Sequence, residues 1–196
     1  MKTSYIVIGV ILFVLFIGGC GCVSSYNKMV SLDETVKAKW GTVQADYQRR
    51  ADLIPNLVET VKGVASFEKS TLVDVTNARA KATSIQVDPT KLDPAAIQKF
   101  QAAQGQLSTA LGRLLVASEK YPELKANENF SALQAQLEGT ENRIKVSRMD
   151  FNNAVQDYNT KIRSFPTNFL ANMTGFQQKT GFQAEAGSEK APSVKF

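Results

Sequence analysis

The sequence predicts an all-α protein, an elongated antiparallel bundle of three long helices and one short C-terminal helix that follows an N-terminal membrane helix. Three observations lead to this fold class. An uncharged apolar segment opens the chain, apolar residues recur at helical spacing over long stretches, and no stretch shows the alternation typical of strands. The 196 residues leave enough chain beyond the apolar segment for one domain with its own core.

Residues 3–27 carry no charge, and their centre, residues 6–17, is apolar enough to enter a bilayer core, which needs about 17–25 helical residues. Two interpretations stay open. In one, the segment is a retained single-pass anchor, and Lys2 and Lys28 favour a cytoplasmic N-terminus with the bulk outside the cytoplasm, in the periplasm. In the other, Ile17-Gly-Gly-Cys20 is a lipobox, residues 1–19 are removed, and the protein is a lipoprotein attached through Cys20.

The first long helix is predicted from residue 27 to about residue 83. A seven-residue grid of large apolar side chains marks it: Trp40, Tyr47, Ile54, Val61 and Val75. Glu68 is the one residue on this grid that is out of character. Pro55 lacks a backbone N–H and crowds the carbonyl of Ala51, so we expect a kink there.

The later helices have clear ends. Asp93-Pro94 supplies an N-cap and a proline at the first helical position, and Tyr121-Pro122 ends this second helix. The third helix is predicted from Asn127 or Asn129 to Ser164, with large apolar residues every seven positions: Phe130, Leu137, Ile144, Phe151, Tyr158 and Phe165. Residues 167–179 form a short amphipathic fourth helix, and residues 183–196 are too poor in apolar side chains to stay ordered.

Two clusters of polar side chains interrupt the helical pattern at matching depth. The first helix carries Arg49, Arg50, Asp52 and Asn56, and the third carries Glu138, Glu141 and Arg143 beside Gly139, where a second backbone could approach closely. One interpretation is an interhelical network that fixes the register of the long helices. The others are a pocket for a peptide or a lipid headgroup at the Pro55 kink, and a plain solvated surface.

The composition argues against enzymatic chemistry. The chain has no histidine, which removes the commonest general base and metal ligand, and its two cysteines both lie in the N-terminal segment. We therefore predict no catalytic residue, no metal site and no cofactor. Basic residues are spread among acidic ones rather than gathered into a stripe, so we expect no nucleic-acid partner.

The last residues admit two interpretations. Val194 and Phe196 place an apolar pair before the terminal carboxylate, a form that strand-adding peptide readers capture. The alternative, which we favour, is a disordered end that happens to finish in phenylalanine.

Several blocks of sequence stand out along the chain: Tyr26-Asn27, Asp33-Glu34, Trp40, Gln48-Arg-Arg-Ala-Asp-Leu-Ile-Pro-Asn-Leu-Val58, Val61-Lys-Gly63, Tyr121-Pro-Glu-Leu-Lys-Ala126, Leu137-Glu-Gly-Thr-Glu-Asn-Arg-Ile144 and Tyr158-Asn159. Taken together, these blocks resemble the bacterial LemA family. The resemblance implies an elongated, helical, membrane-attached protein with no catalytic residue or cofactor to carry over. It divides the chain into an anchor or lipoprotein signal (1–25), a LemA-like bundle (26–182) and a tail (183–196). Members of the family usually keep their anchor, so the lipobox at Cys20 is a departure.

The expected function is that of a non-enzymatic, membrane-tethered scaffold or adaptor of the cell envelope, with envelope proteins as unidentified partners. The alternative is a peptide- or lipid-binding module that uses a groove around Trp40, Tyr47 and Pro55. Homo-oligomerisation is open, because the heptads of the third helix can be covered within one chain or between chains.

Overall fold

The computed structural model describes the backbone of residues 2–64 and 67–183, and side chains from residue 21 onward within those ranges. In the part of the chain so described there are six helices and no strand, which confirms the all-α prediction. The helices are α1 (Lys2–Lys62), α2 (Lys69–Ser84), α3 (Pro94–Ser118), α4 (Pro122–Lys125), α5 (Glu128–Arg163) and α6 (Thr167–Thr174).

The predicted first helix proves to be two helices. α1 ends at Lys62, and a turn in which Val64 N–H donates to the Val61 carbonyl leads into α2. The heptad grid did not reveal this break, because α2 resumes with Val75 again on a buried face. Glu68, the one residue out of character on the grid, is the N-cap of α2.

Local signals located the other helix ends well. The Asp93 carboxylate accepts a hydrogen bond from Ala96 N–H at 2.9 Å, and Asn127 Oδ1 accepts one from Phe130 N–H at 3.1 Å, so both are side-chain N-caps. The fourth predicted helix, by contrast, ends at Thr174 rather than at residue 179. Gly175 stops it in the left-handed conformation with φ of 80°, which glycine adopts without strain.

Contacts fix how the helices lie beside one another. Lys39 on α1 pairs with Asp150 on α5 at 2.7 Å, whereas further along α1 Arg50 pairs with Glu141, so the two helices are antiparallel. One apolar cluster surrounds Trp40 and Phe151, and a second surrounds Leu57 and other side chains of α1, α2, α3 and α5. Each buried large side chain contributes about 1.5–3 kcal/mol of gross burial energy.

Residues 175–183 form an extended strap along α5. The Asn159 side-chain amide donates to the Lys179 carbonyl at 2.8 Å and accepts from Lys179 N–H at 2.9 Å, and Asn152 pairs with Phe182 in the same way at 3.1 and 2.8 Å. Seven helical residues span about 10.5 Å and three extended residues about 10 Å, so both pairs form together. The strap takes the place of the helix predicted for residues 175–179.

Several predictions fall outside the described residues. The side chains of the apolar run 6–17 and of Cys20 lie there, as do Val194, Phe196 and the rest of the tail from residue 184. Among the helices that could be searched on the described residues, none combines the length and the apolar character needed to cross a bilayer. Cys22, whose side chain is described, is a free and exposed thiol.

Candidate functional site: a buried arginine between two cores

Arg50 is the most unusual residue of the described chain. It lies on the inward face of α1, and only 1% of its surface is exposed. Arginine is almost never buried to this extent unless its charge is paired and its N–H groups are hydrogen bonded. Its partners therefore decide what this position does.

The guanidinium connects three helices. Nη1 donates to Ser108 Oγ at 2.9 Å and to the Glu141 carboxylate, while Nη2 donates to Gln104 Oε1 at 2.5 Å. The guanidinium carbon also lies 5.0 Å from the centre of the Tyr47 ring, a cation–π distance. Burial raises the pKa of Tyr47, so that ring remains a neutral phenol beside the cation at neutral pH.

A fourth helix joins through Gln104, whose amide Nε2 donates to the carbonyl of Ala82 in the last turn of α2 at 3.4 Å. The two apolar clusters lie on either side of this network along α1, with Tyr47 in one and Ile54 in the other. The arrangement suits a junction that holds helices in register. The Ser108 hydroxyl and the Glu141 carboxylate both accept hydrogen bonds from the Arg50 guanidinium.

Solvent reaches the network at Glu141 and at the exposed Ser108. The Glu141 side chain is 50% exposed, whereas that of Arg50 is 2% exposed. The carboxylate therefore keeps much of its hydration, and the cost of burying charge falls mainly on Arg50. Arg50 Nε has no hydrogen-bond partner among the described residues, which adds to that cost.

The remaining polar residues predicted for this network lie elsewhere. Arg49, Asp52, Asn56, Glu138 and Arg143 are all exposed. The Asp52 carboxylate accepts from the Gln48 amide at 2.7 Å and that of Glu138 from Gln134 at 3.2 Å, each within its own helix. The expectation of a close backbone approach at Gly139 is wrong, because a Cβ there would meet no atom within 4 Å.

Sequence reasoning missed Gln104 and Ser108, the α3 half of the network. A weak signal existed for Gln104, which lies on the apolar stripe between Phe100 and Leu107 and is itself buried. A polar residue on a buried helical face needs a partner. Nothing in the sequence identified that partner as Arg50.

The backbone hydrogen bond lost at Pro55 is replaced by a contact that the sequence did not reveal. Proline cannot donate to the carbonyl four residues earlier, which belongs to the buried Ala51. In the structure Arg79 of α2 supplies the missing donor, since its Nε donates to the Ala51 carbonyl at 2.8 Å. α2 is therefore attached to α1 at the point where the ladder of α1 is interrupted.

Comparison with known proteins assigns the chain to a family. Residues 39–196 match the LemA family, which covers α1 from Lys39 onward and every later helix. The chain belongs to the LemA family. Residues of all the helices in the Arg50 network thus fall inside the matched region, and the apolar N-terminal segment precedes it.

Curated relatives carry two kinds of name. Magnetosome protein MamQ 1 of Paramagnetospirillum magneticum is 28% identical, and magnetosome protein MamQ of Magnetospirillum gryphiswaldense is 27% identical, each over 84% of this LemA chain and 66% of its own length. Protein LemA of Metamycoplasma hominis is 25% identical over 81% of this chain and 68% of its own. The chain thus spans just under two thirds of the MamQ relatives it matches.

Proposed function

We propose that this LemA family protein is a non-enzymatic helical scaffold of the bacterial cell envelope, tethered to a membrane by its N-terminal segment and bound to other envelope proteins. The observation that carries the proposal is the continuity of α1, which runs from Lys2 to Lys62. The apolar segment and the first helix of the bundle are therefore one helix, about 90 Å long at 1.5 Å per residue.

The Arg50 network supports a scaffold, because it fastens this long helix to α3 and α5 partway along its length. A helix fastened in this way transmits its orientation to the helices packed on it. The buried stripe of α5 is covered by α1 within the chain, as at Phe151 and Trp40, so a second copy is not needed to cover it. The differing names of the relatives are consistent with a shared scaffold used in different settings.

The bulk of the chain is placed outside the cytoplasm by this proposal, because Lys2 precedes the apolar segment. The experiment is fractionation of bacteria that express the full chain, followed by intact mass of the purified protein and protease treatment of spheroplasts. We expect the chain in the membrane fraction, digested from outside and at its full mass. The mass of residues 20–196 plus acyl chains would replace the continuous apolar helix with attachment through Cys20. A chain recovered in the soluble fraction would overturn the proposal.

Binding of a peptide or lipid at Pro55 is less well supported. Trp40 is fully buried and Tyr47 is 5% exposed, while Pro55 is exposed on the other side of the Arg50 network. These three residues do not line one open groove. The carbonyl that Pro55 leaves unpaired is already occupied by Arg79.

A further inference from the structure

We propose that α6 and the turn before it form a membrane-contact surface that rests on the lipid headgroups beside the anchor. This inference rests on the proposed tethering and specifies what the tethered bundle touches. The surface consists of Phe165, Phe169 and Met173, which we call the α6 patch.

The α6 patch exposes three large apolar side chains close together, which a helix surface that faces only water does not require. Phe165 is 81% exposed, Phe169 63% and Met173 85%, and the two aromatic rings meet edge to face at 6.1 Å. Phe169 and Met173 are four positions apart on α6 and therefore share one of its sides, and the ring contact brings Phe165, in the turn before α6, next to Phe169. The opposite side of α6 packs inward through Ala171 and Leu170. Contiguous exposed apolar residues of this kind mark an interaction site.

Helix pairing places the α6 patch at the membrane end of the bundle. The Lys39–Asp150 and Arg50–Glu141 pairs set the antiparallel register of α1 and α5. Continued to the end of α5, the same register brings Phe165 beside about residue 25 of α1. The Tyr26 and Phe176 rings, 5.8 Å apart, fix the chain just after α6 at the same level.

The distance to the bilayer fits contact with headgroups. Residue 25 lies eight residues beyond Ile17, the end of the apolar run, which is about 12 Å along a helix. The headgroup layer is about 5–8 Å thick on each side of the hydrocarbon core, and phenylalanine side chains can cover the rest. If the chain is attached through Cys20 instead, the interval shrinks to about 8 Å.

Charge around the α6 patch suits an anionic membrane. Residues 158–183 contain three basic side chains, Lys161, Arg163 and Lys179, and no acidic one. Lys179 is engaged with Asp33 at 2.8 Å, which leaves Lys161 and the exposed Arg163 to face phosphate groups. An apolar patch flanked by basic residues is the composition of an interfacial helix.

The test uses the full chain in nanodiscs made of phosphatidylcholine and phosphatidylglycerol, with and without bromine on the acyl chains. Met173→Trp places a fluorophore in the α6 patch, and Val116→Trp is the matched control. Val116 is 70% exposed but lies near the end of α3, beyond Gln104 and far from the anchor. Both positions are exposed, so neither substitution disturbs the core.

We expect brominated lipid to lower the added emission of the Met173→Trp chain roughly twofold and to leave that of Val116→Trp unchanged. A second reporter, Phe169→Trp, should follow Met173→Trp. Equal emission of Met173→Trp in both kinds of nanodisc would overturn the inference, including the case in which a second copy of the chain covers the patch. Failure of the chain to enter nanodiscs at all would instead count against the tethering.

Discussion

Removal of the Glu141 carboxylate tests the register network most sharply. In Glu141→Ala, Arg50 keeps Gln104 and Ser108 as neutral partners but loses its counter-charge. A hydrogen bond to a charged group contributes about 1.5–3 kcal/mol. Breaking a fully buried ion pair costs about 3–5 kcal/mol, but half of the Glu141 side chain is in water, so the lower range applies.

We therefore expect Glu141→Ala to lower the free energy of unfolding by about 2 kcal/mol, or the Tm by about 4–8 °C for a chain of this size. The assay is urea unfolding in mild detergent, followed by the fluorescence of Trp40, the single tryptophan and a fully buried one. Trp40 reports on the cluster that lies next to the network.

The matched control is Glu138→Ala. Glu138 lies one turn earlier on α5 and carries the same charge, and the partner found for it in the described part of the chain is Gln134 of its own helix. Both changes gain the same helix propensity, so that contribution cancels between them. We expect Glu138→Ala to stay within about 0.5 kcal/mol of the unmodified chain. Equal effects of the two substitutions would refute the network as a source of helix register.

The contacts of Arg79, Asp33 and Asn159 can each be tested by a single substitution. Arg79→Met should lower the free energy of unfolding by about 1–2 kcal/mol, because it leaves the buried Ala51 carbonyl without a hydrogen bond. The loss should be much smaller in a Pro55→Ala background, where residue 55 gains an N–H. A double-mutant cycle in urea measures the difference, and additive effects would contradict the prediction. Burial alone would raise the pKa of Asp33, but two lysine hydrogen bonds outweigh it and hold that pKa low. The stabilisation by the Asp33 carboxylate is thus present above the unfolded pKa of about 3.9 and lost as pH falls through the folded pKa. Asp33→Asn should therefore be less stable than the unmodified chain at pH 7 and equal to it at strongly acid pH. A difference in stability that persists in acid would disprove the pairing. Asn159→Ala should free the strap. Trypsin should then cut several-fold faster after Lys179, whose side chain is 7% exposed in the unmodified chain; an unchanged rate on a mass-spectrometric time course would argue against the strap.

The parts of the fold that the sequence predicts correctly depend on local chemistry. Asp93-Pro94 and Asn127 define helix starts because a capping side chain bonds to N–H groups two or three residues away. The break after Lys62 was missed because the turn after α1 keeps the seven-residue spacing of the buried residues, so the pattern continues into α2. Phe165 looked like a core residue of the third helix, but α5 ends before it and leaves it exposed.

The candidate site shows the same division. Arg50 and Glu141 could be picked from charge and matching depth on two helices, but Gln104 could not be assigned to them without knowing how α3 lies. The strap depends on side-chain amides that reach a distant backbone, as at Asn152, and no sequence pattern announces such pairs. Contacts between elements far apart in sequence set these features.

The central claim of our proposal is that the apolar N-terminal segment, the proposed tether, and the bundle share one rigid helix. It is tested most directly by electron paramagnetic resonance distances between spin labels at Gly9→Cys, inside the apolar segment, and Ala45→Cys, in the bundle. Both are exposed sites on α1, and the labelled chain, with its native cysteines changed to serine, is embedded in nanodiscs. An unbroken helix predicts one narrow distribution near about 54 Å, for 36 residues at 1.5 Å each. A broad distribution, or one centred well below that distance, would show a hinge between tether and bundle and would contradict the account.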